Sequence, residues 1–553
     1  NDITIGDIEG YGIKTSLGSI TINNVDISIS QTDYDGILAD GYFRNNDEIV
    51  IAGSGQNAIS IEGVLENNGM LEIFNPAQSG IKLVGSTAVL RNLILGDITI
   101  QNCPYYGIQS FGEIENFGEV AIDNCSITGI SNSGKVNNSG TLDISNTQEY
   151  GMENSGNDST LNAGNINILN SGKHGFYNSS GNFINTGDLM ICKASESGLH
   201  NSGSGLFLNE GSGSVRTDTS MGTGFYNSTK LINKGIILVI DAGEEGFIND
   251  GNSDSLINSG NIFTFLTEGI GFQNIGNPSS IVHNMAGANI SIDKSDTTGF
   301  YTSRAVINDG RIKVTFSGGV GVVNMNNADS LVNNDKIDTW FNSGGGFLNS
   351  GAASVYYNKG ASSRTNVYSN DGIGLKTTEK FINEGHIQIQ TNTGTALLNY
   401  QNSDSLHNLG LIRIVNCDST GFENSGIGSV FVNEAGGTFE ITNMQKGIVS
   451  SQKFINKGDI EIMDISKTGL SNMANADSLI NFGEIQIMNC DSTGFENSGM
   501  GGVFVNEMGG TFEITNMQKG IVSSQKFINK GDIELMDMSN ISMSNTDSLI
   551  NFG

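Results

Sequence analysis

GGTFEITNMQKGIVSSQKFINKGDIE, residues 436 to 461, recurs without a change as residues 509 to 534. The offset between the copies is 73 residues. Inside it lie three weaker copies of one pattern: KFINKGDIEI from Lys453, SLINFGEIQI from Ser478 and VFVNEMGGTFEI from Val503. Each has an asparagine, a glycine soon after it, and then apolar residues at every second position. Alternation of period two over four to six residues marks a strand, and no stretch of 3.6-residue periodicity competes with it.

The pattern extends outward through nearly the whole chain. Its asparagine recurs upstream at Asn433, Asn408, Asn383, Asn358, Asn333, Asn308, Asn284 and Asn258, and onward to Asn162, at spacings of 23 to 26 residues. A second marker sits between these asparagines, a glycine followed by an apolar residue and often asparagine, as in GFENSG at Gly421 and Gly494. About 23 such markers run from Gly12 to a degenerate one near Ile541, separated by 21 to 28 residues. That spacing leaves no room for a helix. It predicts an all-β chain, a right-handed parallel β-helix with three short strands per coil. With roughly 4.8 Å per coil, 23 coils would form one continuous solenoid over 1–553 about 110 Å long. The coils also fall into a three-coil super-repeat of about 73–75 residues.

Side-chain alternation turns Ile460 and Ile462 inward and Glu461 outward, and places an asparagine inside at each of two bends. Buried amides need partners, and amides stacked one strand spacing apart supply them. Two structural asparagine ladders are therefore expected, through Asn258, Asn308, Asn333, Asn383, Asn408, Asn433, Asn456, Asn481, Asn506 and Asn529, and through Asn424 and Asn497. Glycines just after the bend are expected to supply positive backbone angles. Cys103 and Cys125, in QNCPYYG and DNCSITG, occupy equivalent places 22 residues apart and form a disulfide or a thiol stack.

Composition excludes several functions. With 27 basic and 58 acidic residues the net charge is −31, which disfavours nucleic acid and anionic membranes as partners. No run of 18 apolar residues spans a bilayer. Five cysteines without a CxxC pair make neither a zinc site nor a disulfide framework, and no cofactor motif occurs. The five histidines lie outside metal-ligand spacing of one another and read as surface variation. Aspartates in DSL turns at Asp254, Asp329, Asp404, Asp477 and Asp547 read as turn residues bonding their own backbone, with shared calcium ligation as the alternative. Trp340, the one tryptophan, reads as an outward anchor.

The GFxNSG turns followed by LINxGxI strands resemble the β-helical stalks of bacterial haemagglutinins and autotransporter passengers, and giant repeat adhesins of Bacteroidota. The resemblance covers essentially all 553 residues. It implies a secreted, cell-surface structural rod of a filament or adhesin, for cell attachment, prey capture or gliding. Apart from the resemblance, a start at Asn1 without methionine and a stop at Gly553 inside a repeat lead us to expect a segment of a longer repeat protein, and coils without long insertions lead us to expect a non-enzymatic chain. The partners the resemblance implies are copies of the chain itself, cell-surface glycans or other cells. The alternative is a β-helical glycan-active enzyme or tail-spike-like depolymerase. Such enzymes need clustered carboxylates in a cleft walled by long loops, which coils of 21 to 28 residues do not leave room for. A short turn every third coil is expected to make a notch about every 14 Å, where a neighbouring rod docks.

Overall fold

The computed structural model describes residues 2–251, 256–327, 329–402, 405–473 and 478–552. These residues are all-β and make about 22 turns of parallel β-solenoid, against the 23 markers in the sequence. The chain divides into two compact units, Asn1–Gly269 and Ile270–Gly553, and each is a stack of coils.

One coil shows the plan. Its first strand is Glu113–Asn116, its second Glu119–Cys125 and its third Thr128–Asn132. Each pairs in parallel with the corresponding strand of the following coil, so three sheets run along the unit. Toward the end of the second unit the second and third strands run together, as in Glu484–Asn497 and Thr511–Ser523, with a register shift between Cys490 and Thr493. The interior is filled by aligned columns. Phe183 and Phe207 pack with tilted rings at a centroid distance of 5.0 Å, Phe176 meets Phe183 at 4.5 Å across the interior, and Phe431 meets Phe454 at 4.8 Å. Ile460 and Ile462 are buried, as the alternation requires.

Glycine acts here in two ways, by its backbone freedom and by its size. Some glycines just after the ladder asparagines take positive backbone angles as expected, Gly436 (φ 86°) after Asn433, Gly509 (φ 87°) after Asn506 and Gly426 (φ 80°) after Asn424, whereas others, such as Gly458 and Gly140, do not. A Cβ on Gly458 would instead stand 2.2 Å from the carbonyl oxygen of Gly437, and one on Gly140 would stand 2.0 Å from that of Gly118. Neighbouring coils approach too closely at these positions for a side chain to be added without a shift. Left-handed angles fall also to non-glycine residues, at the one-residue bend between the second and third sheets: Asn102 (φ 57°), Asn124 (φ 57°), Asn443 (φ 59°) and Asn516 (φ 61°). Asparagine tolerates this region better than most residues. Several of these amides form an exposed third ladder, Asn124 to Asn102 at 2.7 Å and Asn516 to Asn489 at 2.8 Å.

In the second unit the three-coil period has an internal cause. At the end of the third sheet every third coil carries a hydroxyl in place of asparagine: Thr302, Thr377, Ser450 and Ser523. Each hydroxyl donates to the carbonyl two residues on, for example Thr377 to Glu379 at 2.8 Å and Ser450 to Gln452 at 3.0 Å. In the next coil Asn402 donates its amide to the same Glu379 carbonyl at 2.7 Å. Its backbone N–H donates to the Ser429 hydroxyl of the coil after that, at 3.1 Å. The Gly428 N–H then donates to the Gln452 amide oxygen at 3.1 Å, closing the period onto the next short turn. The turns of three coils thus interlock along one edge of the chain.

Candidate functional site

The first ladder runs through the last residue of each first-sheet strand. Asn433 donates to Asn456 and Asn456 to Asn481, both at 2.8 Å, and Asn456 also donates to the Glu484 carbonyl at 3.0 Å. Asn308 to Asn333, Asn383 to Asn408, Asn408 to Asn433 and Asn506 to Asn529 repeat the bond at 2.7–2.9 Å. Asn258 accepts from Asn233 at 2.8 Å, and Asn506 from Asn481 at 2.8 Å. Every Nδ2 points toward the following coil, so the relay is directional and each bond polarises the next. Asn424 and Asn497 belong to the second ladder. Here Asn399 donates to Asn424 at 2.8 Å, and Asn424 hands on to the Ser450 hydroxyl at 3.3 Å, as Asn497 does to Ser523 at 3.1 Å.

Cys103 and Cys125 are register partners in adjacent second-sheet strands, both buried free thiols. The hydrogen bond between them, with burial second, raises the Cys125 thiol far above the usual range.

Two features escaped sequence reasoning. The first is a column of rings on the outer side of the first unit. His174 stacks on Tyr150 (5.6 Å) and on His200 (4.5 Å), and His200 stacks on Tyr226 (4.5 Å). Burial pushes both imidazoles down to about 4. Burial, then the bond to Asp250, pushes the Tyr226 phenol up to about 12. His174 stands just before its marker glycine and His200 two residues after its own, so no common spacing announces the pair. The other histidines lie elsewhere: His283 meets Asp309 at 2.7 Å and His407 meets Glu434 at 3.0 Å.

The second feature is electrostatic and lies on the outward side of the second sheet in the second unit. Asp338 is fully buried although its strand position faces outward. Arg311 binds it through Nε at 2.8 Å and Nη2 at 2.6 Å, Lys336 reaches it at 3.3 Å, and Asn366 donates to it at 2.7 Å. Beside this knot Lys313 lies 5.6 Å from the centre of the Trp340 ring, and Trp340 meets Tyr368 edge to face at 5.7 Å. Farther along the same sheet the register aligns Glu440 with Glu461, and Glu513 with Glu534.

A shallow groove of about 710 Å³ follows the bend between the second and third sheets, lined in part by Asp418, Asp464 and Asp491. Of the DSL aspartates, Asp254, Asp404 and Asp477 lie outside the described residues. Asp329 and Asp547 donate their backbone N–H to the side chains of Asn327 (3.1 Å) and Asn545 (3.2 Å), so here the preceding asparagine makes the turn. Among the described residues no group of three or more His, Cys, Asp or Glu side chains stands close enough to hold a metal ion, and no helix is long and apolar enough to cross a membrane.

No protein-family model and no curated protein matches this chain.

Proposed function

We propose that this chain is the structural rod of an extracellular surface filament or adhesin, presenting attachment surfaces along its sides. The carrying observation is the directional relay of buried amides, which ties each coil to the next at 2.7–3.0 Å through long runs of the described coils. A stack joined this way by side chains as well as by strand pairing resists bending and fraying, because opening one coil leaves buried amides without partners. Net charge of −31 keeps such a surface soluble and repels nonspecific polyanions. A β-helical glycan-active enzyme is the competing reading, and the Asp418, Asp464 and Asp491 groove is where it would act.

The test is immunogold electron microscopy of the source cells with antibodies raised against this chain, paired with a product-release assay on neutral and acidic polysaccharides. Labelling along surface fibres with no product release supports the reading. Purely intracellular labelling would overturn it, as would product release abolished by Asp464→Asn.

A further inference from the structure

The outward side of the second sheet in the second unit is divided by charge. The strands Arg311–Thr315, Lys336–Trp340 and Arg364–Tyr368 present Arg311, Lys313, Lys336 and Arg364, with Asp338 as their single carboxylate. Asp338 is sunk beneath Arg311 and Lys336, and neither Lys313 nor Arg364 has an ion-pair partner among the described residues. Beyond two intervening strands the character reverses. In their second-sheet parts, before the bend, the strands beginning at Thr438, Asp459, Glu484, Thr511 and Asp532 present Glu440, Asp459, Glu461, Glu484, Glu513, Asp532 and Glu534, and no lysine or arginine.

The acidic half holds like charges in direct register, Glu440 beside Glu461, Asp459 beside Glu484 and Glu513 beside Glu534. Such neighbours repel across a sheet. Among the described residues only Arg413, 3.3 Å from Glu440, offsets this repulsion with an ion pair. On a chain of net charge −31, a block of cations set apart from a block of carboxylates on one sheet face is complementary to itself. Two copies placed face to face about a two-fold axis near the His386–Gln390 and Leu411–Val415 strands would set each basic block on the other's acidic block.

We infer that this face is a self-association surface, and that its partner is the same face of a second copy of the chain. About ten coils at roughly 4.8 Å, with strands of about five residues at roughly 3.3 Å each, give about 800 Å² per copy. That is the area a stable interface buries on each side. Trp340 and Tyr368 supply large half-buried rings in the basic block, the residue types on which interface energy concentrates. The buried Asp338 holds Arg311 and Lys336 in place before a partner arrives.

The inference rests on the reading of the chain as a structural stack and names the partner and chemistry of one side of it. Analytical ultracentrifugation of the full chain tests it against ionic strength, using wild type, Lys313→Glu/Arg364→Glu and Glu461→Lys/Glu513→Lys. Wild type is expected to pair at low salt and to weaken at least about tenfold on going to high salt, because exposed charges are then screened. Each doubly reversed variant is expected to stay monomeric alone, and the two mixed are expected to form a heterodimer. That rescue separates a charge match from a folding defect. Three results would overturn the inference: a wild type that stays monomeric at low salt, association indifferent to both reversals, or a monomer that binds an acidic polysaccharide through Lys313 and Arg364. Electron microscopy of the same samples keeps the two claims apart. Unpaired stacks sink this inference alone, whereas particles that are not extended stacks sink the structural reading beneath it.

Discussion

His174 and His200 stack ring on ring, 4.5 Å between centroids, although they come from different positions in their coils. Burial lowers both from the ordinary 6.5 to about 4. The folded chain therefore keeps both neutral where the unfolded chain takes up protons. Stability from this pair is complete above about pH 6.5 and falls as the pH drops toward 4. Replacing His200 with phenylalanine keeps the stack and removes one titration. Its melting temperature should fall less than that of wild type between pH 6.5 and 4, and equal falls would show that the imidazoles titrate normally.

Asn456 accepts one amide bond and donates two, all inside the coil stack. Asn456→Ala is expected to cost about 1 to 3 kcal/mol, the penalty for leaving buried donors and acceptors unpaired. Asn424→Ser should cost less than Asn456→Ser, because the second ladder already passes through serine at Ser450. Denaturant titration of the three variants measures this, and equal losses for the two serine variants would contradict the ladder assignment.

Gly458→Ala places a methyl 2.2 Å from the Gly437 carbonyl oxygen, whereas a Cβ on Gly211 meets nothing within 4 Å. The first substitution should destabilise by about 1 to 3 kcal/mol or more, as overpacking does. The second should stay within about 0.5 kcal/mol of wild type. Thermal unfolding of the pair distinguishes close approach from backbone angle as the reason for glycine.

Cys103 and Cys125 should resist iodoacetamide in the native protein, since both are buried and the Cys125 thiol is held protonated. After denaturation without reductant both should be alkylated. Recovery of a disulfide-linked peptide in mass spectrometry would show that the stack is oxidised.

Strand, turn and inward residue were legible without any structure, because each depends on neighbours in sequence. Alternation places Phe454 and Ile460 inside wherever the coil lies, and a buried asparagine repeated at a steady interval finds its own copy above and below. The same logic caught only part of the glycines' role, the positive angles at turns such as Gly436 and Gly509. At Gly458 and Gly140 the need arises from the carbonyl of another coil at 2.2 and 2.0 Å, a distance that local angles do not contain.

The sequence by itself determined the parallel stack, its period and the two inward columns, since a repeat can bury its apolar side only against copies of itself. Tertiary structure alone decided which unlike positions meet. It set His174 against His200, drew Asp338 under Arg311 and Lys336, and locked Asn402 between Glu379 and Ser429. The contacts among these that cross between coils join residues 23 to 27 apart at unequal offsets, so small differences in turn length choose the partners. Turn lengths become positions in space only once the coils are stacked.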